Sequence, residues 1–405
     1  MPFRLALSGL NAATADLTVT ANNIANTATT GFKGSRAEFA ELFAVSPQGV
    51  SSSAIGNGVR LADVAQQFSQ GNIDTTGNSL DLAISGSGFF TLSDGGALAY
   101  TRAGAFKTDS VGNVVNAQNQ RLQVYPPSAA GGFNTGALTD LSLVTSDNAP
   151  AATANVAVLM NLPADAVVPT NPTFDPADPT SYTRATSLTV YDSLGAAHTG
   201  TLYFSKTANP GEWDNRVYID GSAVGGAQPM AFDNTGTLVT PSNGLIVAPP
   251  YAPATGAAPM NITFNFNGAT QYGSNFGLNS ITQDGYTTGR LIGMDIDKSG
   301  IVQARFTNGR SQTLGQVAMS NFANPGGLQQ LADTTWAETF DSGQALHGQA
   351  GSSGFGLIQS GSLEASNVDI TTQLVNMITA QRNFQANAQM ISTADSITQT
   401  IINIR

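Results

Sequence analysis

"ANNIANTATTGFKG", residues 21–34, closes what otherwise reads as one amphipathic helix. Upstream of it Phe3, Ala6, Leu10, Ala13, Leu17 and Ile24 recur on one face, with Leu10, Leu17 and Ile24 seven residues apart. That periodicity predicts a single helix with one apolar stripe. The side chains of Asn22, Asn23 and Asn26 compete for backbone hydrogen bonds, Thr27, Thr29 and Thr30 are β-branched, and Gly31 ends the segment. The helix therefore stops here.

The same periodicity returns at the other end of the chain. Ile370, Leu374, Met377, Phe384, Ala388, Ile391, Ile397, Ile401 and Ile404 follow three- and four-residue spacings. The two terminal stripes are expected to pair as a coiled coil. Charges are sparse on both, Arg4 and Asp16 on the first and Asp369, Arg382, Asp395 and Arg405 on the second. A solvated amphipathic helix carries a more charged outer face, so both faces of these helices are expected to be covered. A private core contact is the plainer reading of one such stripe. Two stripes at opposite ends, with uncharged outer faces, weigh against it.

Between the helices the composition changes in kind. The chain has 405 residues, 43 of them Gly, and only 11% are charged. Short apolar runs alternate with turn signals from about residue 70 to 365, as in "SLDLAISGSGFFTLSDGGALAYTRAGAFKTDSVGNVV". "GIVQARFTNGRSQTLGQVAMSNF" reads as a hairpin whose Asn308-Gly309 supplies a two-residue turn. The fold class is thus mainly β with α-helical termini, a discontinuous β domain carrying a second inserted β domain. The expected boundaries are 1–30 and 365–405 for the helices and 31–70 for an extended connector. The inner β domain is expected at 71–145 and 285–364, and the insert at 146–284.

Several chemistries are set aside. A net charge of −11 with 16 Lys and Arg forming no run excludes a nucleic-acid binder. With no Cys there is no disulfide and no thiolate metal site. No run of eighteen apolar residues exists to span a bilayer, and Ser8, Gly9 and Asn11 interrupt the N-terminus before it reaches signal-peptide length. "DIDKSG" mimics the start of a calcium loop with Asp295, Asp297, Ser299 and Gly300, but Phe306 occupies the position that needs a bidentate Glu, and a polar β-turn accounts for the motif. His198 and His347 lack a nucleophile motif nearby, and the Gly-rich pieces lack the spacing of a phosphate cradle. No catalytic, cofactor or metal residue is read.

"SGLNAATADLTVTANNIANTATTGFKG" is similar to the N-terminal signature of bacterial flagellar axial proteins, the rod, hook and hook-associated family, and "LEASNVDITTQLVNMITAQRNFQANAQMIST" to their C-terminal one. The length and the insert "SLTVYDSLGAAHTGTLYFSKT" resemble the hook members of that family, while the connector "AVSPQGVSSSAIGNGVRL" resembles the rod proteins. The resemblance implies a structural, non-enzymatic subunit. Many copies would form a helical tube, the terminal helices lining it and the β domains projecting outward, as a flexible joint transmitting torque from motor to filament. It implies export through the flagellar apparatus without a cleaved signal, an extracellular place in the hook and basal body, and rod, hook-cap and hook-filament junction proteins as partners. Nucleic acid and membrane insertion form no part of it. Leu10, Leu17, Ile24, Leu374, Met377, Phe384, Ile391 and Ile401 are expected to carry self-assembly, and Asn22, Asn23, Asn26, Gly31 and Phe32 to form the helix stop. A distal-rod or other flagellar axial subunit is one alternative. An adhesive or carbohydrate-binding surface β protein, raised by Thr-rich strands with Trp213 and Tyr218, is another.

Overall fold

The computed structural model describes residues 2–42, 56–129, 131–143 and 147–403. Helix α1 (Pro2–Ala25) and helix α2 (Ile370–Asn403) stand at the two ends of the chain, with β structure between them. By contact density the chain divides into two compact units, one of residues 1–145, 293–305 and 311–405, the other of 146–292 and 306–310.

In the first unit, a twelve-stranded sheet centres on Ser311–Asn321, which pairs with Ile301–Phe306, Arg121–Tyr125, Phe89–Asp94 and Leu346–Gln349. Leu82, Ile84, Phe90, Leu92, Leu122, Val124, Val302, Val317, Met319 and Ile358 close its core. A smaller aromatic cluster of Phe89, Tyr100, Phe322 and Trp336 packs edge to face, with Phe68 against it. Trp336 donates its indole N–H to Gln66 at 2.6 Å, so the ring is buried without losing its polar partner.

Part of the expected connector is a ribbon instead. Strands β1 (Ser35–Glu41) and β2 (Val59–Gln66) pair antiparallel from Ser35↔Gln66 to Glu41↔Val59, with a bulge at Glu38/Phe39. Both strands are largely solvent-facing, so they lack the apolar alternation that announces a strand in sequence. Residues 43–55, which include most of "AVSPQGVSSSAIGNGVRL", lie outside the described residues.

The second unit is a pair of sheets around its own core. Arg184–Tyr191, Ala197–Lys206, Glu212–Ile219, Gln228–Phe232 and Leu238–Thr240 form one antiparallel meander. Asn155–Pro163 is the spine of the other, parallel to Thr263–Asn265 and Thr270–Tyr272 and antiparallel to Gly277–Gln283. Alternate residues of the strands point inward: Val156, Val158, Met160 and Leu162 meet Leu202, Phe204, Trp213, Val217 and Ile219. This unit runs past residue 284 to 292, because Ala151 bridges Tyr286 and Asn148 bridges Gly289.

The turns correct one reading and explain another. Phe306 and Arg310 bracket a three-residue loop, not a two-residue one, with Gly309 alone at positive φ (76°). "DIDKSG" is one of four turns with the pattern Asp-x-x-Gly, at Asp109, Asp192, Asp233 and Asp297, each followed three residues later by a Gly at positive φ. In all four an Asp oxygen accepts the backbone N–H groups two and four residues on, for Asp297 those of Ser299 and Ile301, both at 2.9 Å. The acids shape hairpins.

Candidate assembly surface and its junction

The termini do meet. Gly9 lies so close to Asn387 that an added Cβ would stand 2.4 Å from its side-chain oxygen, and Asn23 donates to Gln373 at 3.4 Å. Each step along α1 is thus matched by one step back along α2, an antiparallel register in which residues beyond Ala394 extend past the start of α1.

The middle of this seam is built from small residues. Ala6, Ala13 and Thr20, seven apart, are buried on α1, and Ala380 is the one buried side chain among the described residues of α2. Leu10, Leu17 and Ile24 flank that row half-buried, as do Met377, Phe384 and Ile391 on the facing helix. Leu374 is exposed, and the side chain of Ile401 lies outside the described residues. The heptad leucines therefore border a close contact made by Ala and Gly, which lets the helix backbones approach. A ridge of Ile370, Leu374 and Ile378 on α2, with Val375 beside it, and Phe3, Leu5 and Leu7 on α1, remain exposed.

The junction holds a buried ion cluster that sequence reading missed in part. After Ala25 the chain turns, with Asn26 donating its amide to the Asn22 carbonyl at 3.0 Å and side-chain oxygen at 2.9 Å. Asn23 does something else: its amide donates to the Ser35 carbonyl at 2.7 Å and accepts the Ser35 N–H at 2.9 Å, tying α1 to the start of β1. Asn367 makes the matching tie from the other terminus, accepting the Gly34 N–H at 2.8 Å and donating to the Gln67 carbonyl at 2.7 Å.

Gly31, at φ 69°, donates its N–H to the Glu364 carbonyl at 2.8 Å, and a Cβ there would fall 2.5 Å from the Ala103 backbone. Only Gly fits, by conformation and by space. It delivers Phe32 and Lys33 into the interior. Lys33 and Glu364, both with fully buried side chains, pair at 2.6 Å. The other Glu364 oxygen pairs with Arg102 at 3.2 Å. Lys33 also donates to the Ser69 carbonyl at 2.7 Å, Arg102 to the Gly86 carbonyl at 2.8 Å, and the Gly71 N–H to Glu364 at 2.9 Å. Burial pushes the Lys33 ammonium below its ordinary range against the pull of Glu364, and burial lowers Arg102 likewise. The cluster brings three distant segments to one point: the α1 exit, the strand ending at Thr101, and the α2 approach. A sequence signal existed, since Lys33 is the sole charge between Asp16 and Arg36, and Glu364 the sole one between Asp341 and Asp369. An isolated charge in such a stretch needs an internal partner.

Among the described residues no group of His, Asp and Glu is arranged to hold a metal, and no helix is long and apolar enough to cross a membrane.

Four family models match in succession. Residues 3–33 match the flagella basal body rod protein, 83–167 the flagellar hook protein FlgE/F/G D1 domain, 161–286 the flagellar basal body protein FlaE D2 domain, and 359–404 the flagellar basal body rod FlgEFG protein C-terminal. The chain is 40% identical to the flagellar hook protein FlgE of Escherichia coli strain K12, with 100% of each covered. It is 33% identical to that of Borreliella burgdorferi, with 98% of each covered. Among solved structures, the Helicobacter pylori flagellar hook protein FlgE2 shares the fold at a TM-score of 0.54 and 12% identity, over 72% of this chain and 100% of that one.

Proposed function

This chain belongs to the flagellar hook protein family, a family of structural subunits, and on that premise we propose that its copies self-assemble through the paired terminal helices into a helical tube. The tube is a flexible joint that carries torque from motor to filament, outside the cell. The chain performs no catalysis. At its ends the tube meets rod, cap and hook-filament junction proteins. Full-length similarity to hook proteins favours this over a rod subunit or an adhesive surface protein.

One observation carries the assembly role: both helices keep rows of large apolar side chains in solvent within a single chain, Val375 at 58% exposure and Ile378 at 49%. A contiguous exposed apolar face of this kind marks an interaction surface. Electron microscopy of the purified chain under polymerising conditions tests it. The parent should form tubes, and Ile378→Asp should not, because an unpaired carboxylate would enter a desolvated layer. Tubes from Ile378→Asp with normal dimensions would remove the helices from this role.

A further inference from the structure

Each terminal helix carries one base and one acid among its described residues, Arg4 and Asp16 on α1, Arg382 and Asp395 on α2. None of the four takes part in an ion pair among the described residues, although the helices lie side by side. Asp395 accepts one amide bond, from Gln399 at 3.1 Å.

Helix geometry explains the lack of pairing. Ala380, wholly buried, marks the side of α2 that meets α1. Arg382 follows two positions later, about 200° further round, and so faces away from α1. Buried Ala6 places Arg4 on the far side of α1 in the same way. Asp16, three positions after buried Ala13, sits at the flank of the seam. It lines a polar cleft of about 290 Å³ with Asn23, Ser35, Gln373 and Asn376 among its walls. Burial raises its carboxyl above the usual range. Arg36 lines the same cleft but pairs with Glu38 at 2.7 Å, and Asp16 takes part in no ion pair among the described residues. The bases thus point outward while Asp16 stays beside the seam, and Asp395 lies just past its end.

We propose that Arg382 of one copy pairs with Asp16 of the next, an interaction between copies of this chain that sets the register and direction in which helix pairs pack; this rests on the self-assembly reading above. Charge order and spacing support it. Arg4 and Asp16 are about 18 Å apart along α1, Arg382 and Asp395 about 19.5 Å apart along α2, at 1.5 Å per residue. In both helices the base comes first. Antiparallel packing of α1 from one copy on α2 of the next therefore brings Arg382 level with Asp16 and Arg4 level with Asp395 along the axis. Parallel packing at the same overlap sets like charge on like and is disfavoured.

Charge exchange between separate chains tests this. Tubes from the parent chain are scored first by electron microscopy and sedimentation. Asp16→Arg alone and Arg382→Asp alone should each raise the critical concentration for assembly about tenfold, as expected for like charges brought together at an interface. An equal mixture of the two single variants should assemble near the parent concentration, because every contact between unlike copies is again opposite in sign. The isosteric Asp16→Asn, which introduces no new charge, should also raise the critical concentration, by a smaller factor. Thermal melts of each monomer matching the parent would confirm that folding is unaffected. If the parent forms no tubes, both the reading and the pair fall. If the parent assembles and either reversal assembles equally well, the pair alone is overturned. It is likewise overturned if the mixture stays monomeric while the doubly exchanged chain assembles, which would make the contact internal to one chain, or if neither assembles, which would assign the cleft to another partner.

Discussion

The strand Ser311–Asn321 and helix α2 divide the physics of this molecule between them. The strand has 11 residues and buries six in succession, Gly315–Ser320, against neighbours that also complete its ladder. The helix has 34 residues and buries one side chain among those described. Ordering each backbone residue costs about 1–2 kcal/mol at room temperature, and helical propensity alone offsets little of it. The strand is stabilised within its own chain. The helix is long but thinly supported, its apolar ridges left open to a partner. A sheet core fixes a chain's shape from within, whereas a helix so short of contacts draws little stabilisation from its own chain.

The sharpest way to break the comparison lies at the junction between the two regions. Glu364→Ala would leave Lys33 and Arg102 buried with no carboxylate, and should cost about 3–5 kcal/mol in chemical denaturation of the full chain. A loss below about 1 kcal/mol would mean that the cluster is more solvated than its burial implies.

Truncation on either side sharpens the contrast further. Met319→Ala in the strand should lose about 2–4 kcal/mol, whereas Ile378→Ala on α2 should stay within about 0.5 kcal/mol of the parent monomer. Equal losses at both positions would erase the distinction between a self-sufficient core and an open helix. Gly31→Ala comes next, at about 1–3 kcal/mol, since it combines a positive φ with a collision against the Ala103 backbone. A neutral result by thermal melting would show that the junction can open.

The smallest effect separates the two units by pH. His198 is held between Asp220, 2.5 Å from Nδ1, and Asp192, 3.2 Å from Nε2. Burial pulls its pKa down, but the hydrogen bonds and charges of the two carboxylates outweigh this and raise it overall. The hydrogen bonds from Thr255 and His198, with backbone N–H bonds, hold Asp192 down at about 2 against the opposing effect of burial. A raised folded pKa means that the charged His198 stabilises fully below its unfolded value, about 6.5, and that this contribution fades as pH rises through the folded value. The transition of the second unit should therefore move to lower temperature as pH rises from neutrality into the alkaline range, and His198→Gln should flatten that dependence. A transition that is insensitive in the parent would place no charge on His198.

Much of this was legible in the chain itself. Periodicity alone gave the terminal helices, turn residues gave the alternating strands, and long terminal signatures gave the family, since each is a local pattern a linear reading can detect. The missing bidentate Glu kept "DIDKSG" from being read as a calcium site. Tertiary structure decided what depends on residues far apart in sequence. It placed Ala6, Ala13 and Thr20, with Ala380 opposite, at the middle of the seam and moved the leucines to its flanks, because helix separation is set by whichever side chains let the backbones approach. It turned Asn23 from a helix stop into a tie to Ser35, and drew Glu364 and Arg102 to Lys33. A charge can be read from sequence, but its partner depends on which distant segments the fold brings within a few ångströms, and no spacing along the chain encodes that distance.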